Sequence, residues 1–179
     1  MFLSDKDILK AVENEDITLS DFDPSRVQPA SYDILLGNKF LTLKQHSTTA
    51  IDPANRVLPE YDEIIIPDGW EFVLHPWVSL LGLSKDYFGS SKYLIQLSGK
   101  SSLARIWLIV HNTAGLINPG HYLNIAFELC NLNSVPIILR PWMEIWQLIF
   151  AEISSPPEHW YEKKWRYADE NWTSYKPKN

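Results

Sequence analysis

Cysteine is almost absent from this sequence, since Cys130 is the single one among 179 residues. One thiol excludes a disulfide within the chain and any zinc site built from several cysteines. The chain has five histidines, which are His46, His75, His111, His121 and His159. Their spacing matches no recognisable set of metal ligands. We therefore expect a zinc-independent protein from a reducing compartment, the cytoplasm.

A surplus of basic side chains is also missing. The chain has 16 Lys and Arg against 22 Asp and Glu, which gives a formal net charge of −6. Proteins that bind duplex nucleic acid depend largely on contacts between basic side chains and phosphates. This balance argues against nucleic acid as a partner, so any anion must be bound locally.

Long hydrophobic runs do not occur. The first ten residues, MFLSDKDILK, contain two acids and no extended apolar segment, which differs from a signal peptide. No later stretch has the length that a membrane span requires. We expect a protein without a membrane partner.

The sequence does contain enough apolar material for a packed core. Hydrophobic residues make up 45% of the chain and charged residues 21%, which is ordinary for a globular protein. A chain of this length corresponds to about one domain, at roughly 100–200 residues per domain. We predict a single domain over residues 1–179.

The N-terminal residues predict a short helix, and the remainder predicts strands. Ser4 stands three residues before Asp7, as at a helix N-terminus, and Ile8, Leu9 and Val12 supply an apolar stripe. Short β-branched and aromatic runs follow between Gly, Pro, Asn and Asp; they are Glu63–Pro67, Trp70–Leu74, Tyr93–Leu97, Leu108–Val110, Tyr122–Cys130, Pro136–Leu139 and Ile145–Phe150. This pattern predicts a mainly β fold, either a barrel or a jelly roll.

The last segment, residues 154–179, differs from the rest. It mixes proline, charged and aromatic residues without periodicity. Such a segment either closes over a ligand as a flap or is disordered, and the sequence leaves both interpretations open.

One stretch, SGKSSLARIWLIVHNTAGLINPG, concentrates groups that bind anions. It lacks the glycine-rich pattern of a P-loop. Ser101 and Arg105 are four residues apart, so one turn of helix would place both side chains on one face. Ser101 would then stand at the helix start, where free N–H groups favour an anion. A capping serine followed by a solvent-exposed arginine fits the same spacing.

A carboxylate interrupts an apolar run further along the chain. Glu128 lies in YLNIAFELC, a predicted strand, and alternation places it on the same face as Ala126. A carboxylate among apolar neighbours is expensive unless it is paired or functional. A structural ion pair and a catalytic role both fit this position.

These segments together resemble the dCTP deaminase branch of the dUTPase-like superfamily. The resemblance begins at LSDKDILKAV and VQPASYDILLG, is strongest in GKSSLAR and HNTAGLINPG, and continues through FELCN and PWMEIWQLIF. It implies a distorted jelly-roll β-barrel of the β-clip type, with a short N-terminal helix and a C-terminal flap. It also implies a homotrimer with nucleotide sites at subunit boundaries, and the deamination of a cytosine deoxynucleotide, dCTP above all, to dUTP and ammonia.

The resemblance implies catalytic roles for three residues. The family works without zinc, and its general acid/base glutamate corresponds to Glu128. A buried carboxylate with a raised pKa can carry a proton from the attacking water to the ring nitrogen. Ser101 corresponds to the hydroxyl that positions this water, and Arg105 to the cation that orients the glutamate and stabilises developing charge.

Other residues match positions that contact the substrate in the family. They are Lys100, Ser102, Ala114, Asn118, Gln147, Tyr161, Arg166 and Glu170. Lys100 and Ser102 correspond to phosphate contacts, with lysine in place of the usual arginine. Gln147 corresponds to a residue that reaches the triphosphate. Ala114 corresponds to a small side chain that leaves room for the water beside the base.

The C-terminal segment supplies the remaining contacts that the resemblance implies. Tyr161 corresponds to a closing aromatic side chain and Arg166 to a cation on the phosphates. A triphosphate also implies Mg²⁺, held by phosphate oxygens and water instead of a protein metal site.

Several residues depart from the family pattern. Trp107, Trp142 and Trp146 stand where glycines are usual, and they must fill an altered core or line an altered interface. Asn118 replaces an aspartate next to the deoxyribose. Glu170 replaces a glutamine of the tail, where an acid would repel a triphosphate.

Three hypotheses follow for the function. The first is a zinc-independent nucleotide deaminase, which the set of Glu128, Ser101 and Arg105 favours. The second is a dUTP pyrophosphatase or a bifunctional enzyme that forms dUMP, against which Asn118 argues because an amide cannot activate water. The third is a non-catalytic nucleotide-binding module, which the tryptophans and the altered tail favour.

Overall fold

The computed structural model describes residues 1–55 and 57–161. In chain order, the elements of this part are α1 (Asp5–Glu13), β1 (Ile17–Leu19), β2 (Val27–Gln28), β3 (Ser31–Leu43), β4 (Tyr61–Ile65), β5 (Phe72–Leu74), β6 (Ser79–Ser90), β7 (Leu94–Gly99), α2 (Ser101–Ala104), β8 (Leu108–Ile109), β9 (Leu116–Ile117), β10 (Tyr122–Asn131), β11 (Ile137–Leu139) and β12 (Glu144–Ala151). A single 3₁₀ turn, Pro24–Arg26, stands between β1 and β2. The predicted mainly β fold with a short N-terminal helix is confirmed.

One antiparallel sheet organises this part of the molecule. Its strands follow the order β8-β10-β6-β3-β12-β7-β9, with β1 added to β6 and with β2 and β4 added to β3. Strands β5 and β11 form a separate pair. Because β3 pairs with both β6 and β12, it connects the two halves of the sheet.

The two longest strands, β3 and β6, were not predicted from the sequence. Both contain glycine and charged residues, which usually indicate turns. In β3, a Cβ atom at Gly37 would lie 2.8 Å from the carbonyl oxygen of Leu83 in β6. The glycine therefore permits a close approach of two paired strands, and does not interrupt the strand.

The helix α1 begins after Ser4, as predicted, but the prediction of its buried face contains one error. The Ser4 hydroxyl donates a hydrogen bond to Asp7 Oδ2 at 2.8 Å. Ile8 and Ala11 are buried, whereas Leu9 is exposed, so the prediction that Leu9 belongs to the apolar stripe is wrong. Positions three apart share a helix face, which selects Ala11 in its place. Neither helix in the described residues has the length and apolar character needed to cross a membrane.

A buried ion pair connects the region before β3 to β6. Arg26 Nη1 lies 2.8 Å from Asp86 Oδ1, and both side chains are almost fully buried. The second carboxylate oxygen of Asp86 accepts the N–H of Leu35 at 2.8 Å. Arg26 also donates to the carbonyl oxygens of Asp21 and Asp33, at 2.6 and 3.3 Å. Each charge is therefore paired and hydrogen-bonded, as a buried charge must be.

The three tryptophans that stand where glycine is usual in the family lie in two different environments. Trp146 is 1% exposed and packs edge-on against Phe127, with ring centroids 4.2 Å apart, so it fills the core. Trp107 and Trp142 lie at the surface, 64% and 41% exposed, with φ angles of +59° and +70°. A left-handed backbone costs a bulky residue about 1–2 kcal/mol, whereas glycine adopts it freely. The backbone at these two positions is therefore one that favours glycine.

We expect Trp107→Gly to raise the free energy of unfolding by roughly 0.5–1 kcal/mol. Relief of the left-handed strain exceeds the added chain entropy of glycine in the unfolded state. The measurement is urea-induced unfolding of the variant and the parent protein. Trp70 provides the matched control, because it is 69% exposed but has no left-handed φ, so Trp70→Gly should lower stability. Equal effects of the two substitutions would contradict the role given to backbone strain.

Candidate active site

The turn of helix predicted over SSLAR is present. The short helix α2 follows β7 directly, and the N–H of Arg105 bonds the carbonyl oxygen of Ser101 at 3.1 Å. Lys100 occupies the N-cap position, so the alternative in which Ser101 is the capping residue is wrong. Ser101, Ser102 and Arg105 are exposed. Within residues 1–55 and 57–161, the Ser101 hydroxyl and the Arg105 guanidinium have no hydrogen-bond or ion-pair partner.

Glu128 faces outward from β10. Its neighbours Phe127 and Leu129 are fully buried, whereas Glu128 and Ala126 are half-buried on the opposite face, as alternation predicted. One carboxylate oxygen of Glu128 accepts the N–H of Asn112 at 3.0 Å. In the part of the chain that the structure describes, Glu128 forms no ion pair. The expected complete burial of this carboxylate is not found in the single chain, because its face of β10 points away from the core.

The segment HNTAG forms a compact turn beside Glu128. Asn112 donates its N–H to this carboxylate, and Thr113 adopts a left-handed φ of +67°. The N–H of Thr113 donates a hydrogen bond to His111 Nδ1 at 3.2 Å. The His111 ring contacts the buried Trp146 edge-on, with centroids 5.2 Å apart. Ala114 is exposed in the same turn, close in sequence to the group that holds the carboxylate.

Asn118 and Tyr161 lie on one cavity. The cavity measures about 230 Å³, and it is lined by Asn118, Pro119, Pro157, His159 and Tyr161. The ring of Tyr161 stacks on His121 with centroids 3.9 Å apart. Tyr161 thus lies against the turn that carries Asn118, where a closing aromatic side chain is expected. The other two predicted tail residues, Arg166 and Glu170, lie outside the described residues.

Lys100 and Gln147 both bind Asp33, which is not among the site residues predicted from the sequence. The carboxylate of Asp33 accepts the Lys100 ammonium at 2.6 Å, the Gln147 amide at 3.1 Å and the Gln28 amide at 3.2 Å. Lys100 also lies 2.5 Å from the carboxylate of Glu144. The sequence does contain a signal that could have identified Asp33, because this carboxylate lies within the apolar run SYDILL. Glu128 was identified by the same kind of signal.

The register of the paired strands brings Asp33, Gln147 and Lys100 together. Gln147 of β12 pairs with Asp33 of β3 on one side and with Ser98 of β7 on the other. Lys100 follows β7 by one residue, so its side chain reaches back across this row. Burial lowers the pKa of Lys100, but the hydrogen bonds to Asp33 and Glu144 outweigh burial and raise this pKa above its ordinary value. Lys100 therefore remains an ammonium throughout the neutral range.

The described chain holds the predicted residues in separate groups. Lys100 and Gln147 form one group around Asp33, and Ala114 and Glu128 form a second one around the HNTAG turn. Ser101 and Arg105 extend from α2 into solvent and do not contact Glu128. No three His, Cys, Asp or Glu side chains of residues 1–55 and 57–161 cluster in a way that suits a metal ion.

Comparison with known proteins gives a consistent result. The sequence model of the family described as dCTP deaminase-like matches residues 2–153. The "dCTP deaminase, dUMP-forming" of Halobacterium salinarum is 39% identical, and the alignment covers 96% of this chain and 91% of that protein. The "dCTP deaminase" of Natronomonas pharaonis is 41% identical over 90% of this chain and 85% of that protein.

A solved structure shows the same fold. It is the 2'-deoxycytidine 5'-triphosphate deaminase from Agrobacterium tumefaciens, with a TM-score of 0.63 and 22% sequence identity. The match covers 83% of this chain and 47% of the Agrobacterium chain, which is longer. The predicted dUTPase-like β fold is confirmed. By the match of the family model and the identity to these relatives over most of its length, the chain belongs to the dCTP deaminase-like family.

Proposed function

We propose that this protein is a zinc-independent deaminase that converts dCTP and water into dUTP and ammonia. The observation that carries the proposal is the position of Glu128, a half-buried carboxylate that faces outward and is held by the N–H of Asn112. The relatives named as dCTP deaminases support the choice of substrate. The reaction is a hydrolysis at a carbon–nitrogen bond of the cytosine ring.

Glu128 acts as general base and then as general acid. Its carboxylate takes a proton from the attacking water while the water oxygen bonds to C4 of cytosine, and it passes this proton to the ring nitrogen N3. A further proton transfer to the amino group lets the C4–N bond break, and ammonia leaves as the C4 carbonyl forms. Ser101 positions the water, and Arg105 orients the carboxylate and stabilises the charge that develops.

We infer that each site is shared between two subunits of a homotrimer. Ser101 and Arg105 are exposed on α2, and among the described residues they make no hydrogen bond or ion pair with Glu128 of the same chain. A neighbouring copy that docks α2 against the HNTAG turn would supply the missing cation and would complete the burial of Glu128.

We expect the substrate to arrive as its Mg²⁺ complex. The Asp33 carboxylate, which contacts two of the residues predicted to reach the phosphates, is already occupied by Lys100, Gln147 and Gln28. Mg²⁺ is therefore held by phosphate oxygens and water and enters with the nucleotide. A cytoplasmic location stays a prediction from the single cysteine.

Incubation with dCTP and Mg²⁺ is expected to release ammonia and dUTP, with little pyrophosphate. Asn118 lies on the cavity beside Tyr161, and its amide can hydrogen-bond a sugar hydroxyl but cannot act as a general base at phosphorus. Chromatography of the nucleotides, together with separate ammonia and pyrophosphate assays, measures all products. Treatment with a zinc-selective chelator, followed by resupply of Mg²⁺, should leave the rate unchanged.

The variant Asn118→Asp is the matched test of product choice. A carboxylate at this position should tighten sugar recognition and raise the proportion of pyrophosphate. Absence of ammonia from dCTP under all these conditions would contradict the proposed activity. Pyrophosphate that appears in step with ammonia from the parent protein would show that a group other than Asn118 activates the second water.

A further inference from the structure

Lys100 has two acidic partners that differ strongly in their environment. The Asp33 side chain is 2% exposed and the Glu144 side chain is 48% exposed, while Lys100 lies between them at 18%. One ammonium is therefore shared by two carboxylates, one fixed in the sheet and one at the surface. An anion that approaches from solvent meets Glu144 first.

Asp33 is held from several sides. Its carboxylate accepts bonds from Lys100, Gln147 and Gln28, and its own carbonyl oxygen accepts a bond from Arg26. Displacement of Asp33 from Lys100 would leave a buried carboxylate without its cation, which is costly.

Glu144, in contrast, has Lys100 as its one hydrogen-bonding side-chain partner in residues 1–55 and 57–161. An ion pair with a half-exposed carboxylate contributes little and exchanges easily.

We propose that Glu144 is an exchangeable ligand of Lys100 whose place a phosphate group takes when a nucleoside triphosphate binds, while Asp33 is the fixed positioning residue for Lys100 and Gln147. The proposal rests on the proposed function for the identity of the anion. Glu144 competes with the phosphate for the same ammonium. Asp33 acts in the opposite sense, because it holds the ammonium and the amide in the orientation that the phosphate requires.

The two acids should therefore have opposite effects when their charges are removed. We expect Glu144→Gln to bind inorganic triphosphate about 3- to 10-fold more tightly than the parent protein, as the competing charge is lost. We expect Asp33→Asn to bind it at least about 10-fold more weakly, because Lys100 loses its anchor. Isothermal titration calorimetry with inorganic triphosphate measures both effects without any need for deamination.

Two controls make the test specific. Glu60 also pairs with a lysine, at 2.8 Å from Lys44, and this pair stands at the opposite end of β3 from Asp33, so Glu60→Gln should leave triphosphate affinity unchanged. In a Lys100→Gln background, Glu144→Gln should give no gain, since the two residues act through one contact. Glu144 is a surface residue, so this pair of variants remains informative even if Asp33→Asn fails to fold.

The outcomes separate this proposal from the proposed function. A Glu144→Gln variant that binds triphosphate no more tightly than the parent overturns the exchange, as does a gain that persists without Lys100. A parent protein that does not bind triphosphate overturns it as well. A parent that binds triphosphate with the expected opposite effects, but releases no ammonia from dCTP, supports the exchange and contradicts the deaminase activity alone.

Discussion

Replacement of Glu128 by glutamine is expected to lower the rate of deamination at least about 100-fold while dCTP binding persists. The amide has nearly the same shape as the carboxylate but cannot exchange the proton that moves from water to the ring nitrogen. Single-turnover ammonia release measures the rate, and calorimetry with dCTP measures binding. Glu152→Gln is a suitable control. Glu152 is an exposed acid whose carboxylate lies 3.8 Å from the N-terminal ammonium of Met1, and it does not contact the turn that holds Glu128. A Glu128→Gln variant with a rate close to that of the parent would contradict the assigned role.

Co-expression of Glu128→Gln chains with Arg105→Ala chains tests whether the site is shared. In a site that joins Arg105 of one subunit to Glu128 of the next, random assortment leaves roughly one site in four with both residues intact. The mixture should therefore recover about a quarter of the parent activity, whereas either variant alone stays inactive. No recovery in a mixed oligomer would place both residues in one chain.

Replacement of Asp86 by alanine is expected to lower the free energy of unfolding by about 3–5 kcal/mol. Arg26 would keep two carbonyl contacts but lose its buried counter-ion, and the N–H of Leu35 would lose its acceptor. Urea-induced unfolding measures the effect. Glu60→Ala is the matched control, because its ion pair with Lys44 lies at the surface and its loss should change stability little. If Asp86→Ala does not fold, Asp86→Asn supplies a smaller loss of the same sign.

A small loss for Asp86→Ala would mean that water reaches the Arg26 guanidinium. The substitution should also weaken nucleotide binding, because Arg26 contacts the carbonyl oxygen of Asp33 and so helps to hold the anchor of Lys100. Stability and binding are therefore linked through one buried cluster at the start of β3.

Local prediction from the sequence succeeded where a property depends on neighbours along the chain. The helix start at Ser4, the turn of helix after Lys100 and the strand around Glu128 follow from local spacing and alternation, and all three are present. It failed where tertiary contacts reverse a local signal. Strands β3 and β6 were not predicted, and both contain glycine and charged residues, which usually occur in turns; Gly37 permits close strand contact and Asp86 is neutralised by Arg26, so both strands continue.

The sequence by itself determined the family, the mainly β fold and the identity of most candidate site residues, because these are recorded in motifs and local periodicity. Only the tertiary structure decided that Asp33 joins Lys100 to Gln147 and that Glu144 shares the same ammonium. The physical reason is strand register: Gln147 and Asp33 are 114 positions apart in the chain and become neighbours only when β12 pairs with β3. A contact of this kind depends on the whole sheet, and no local pattern contains it.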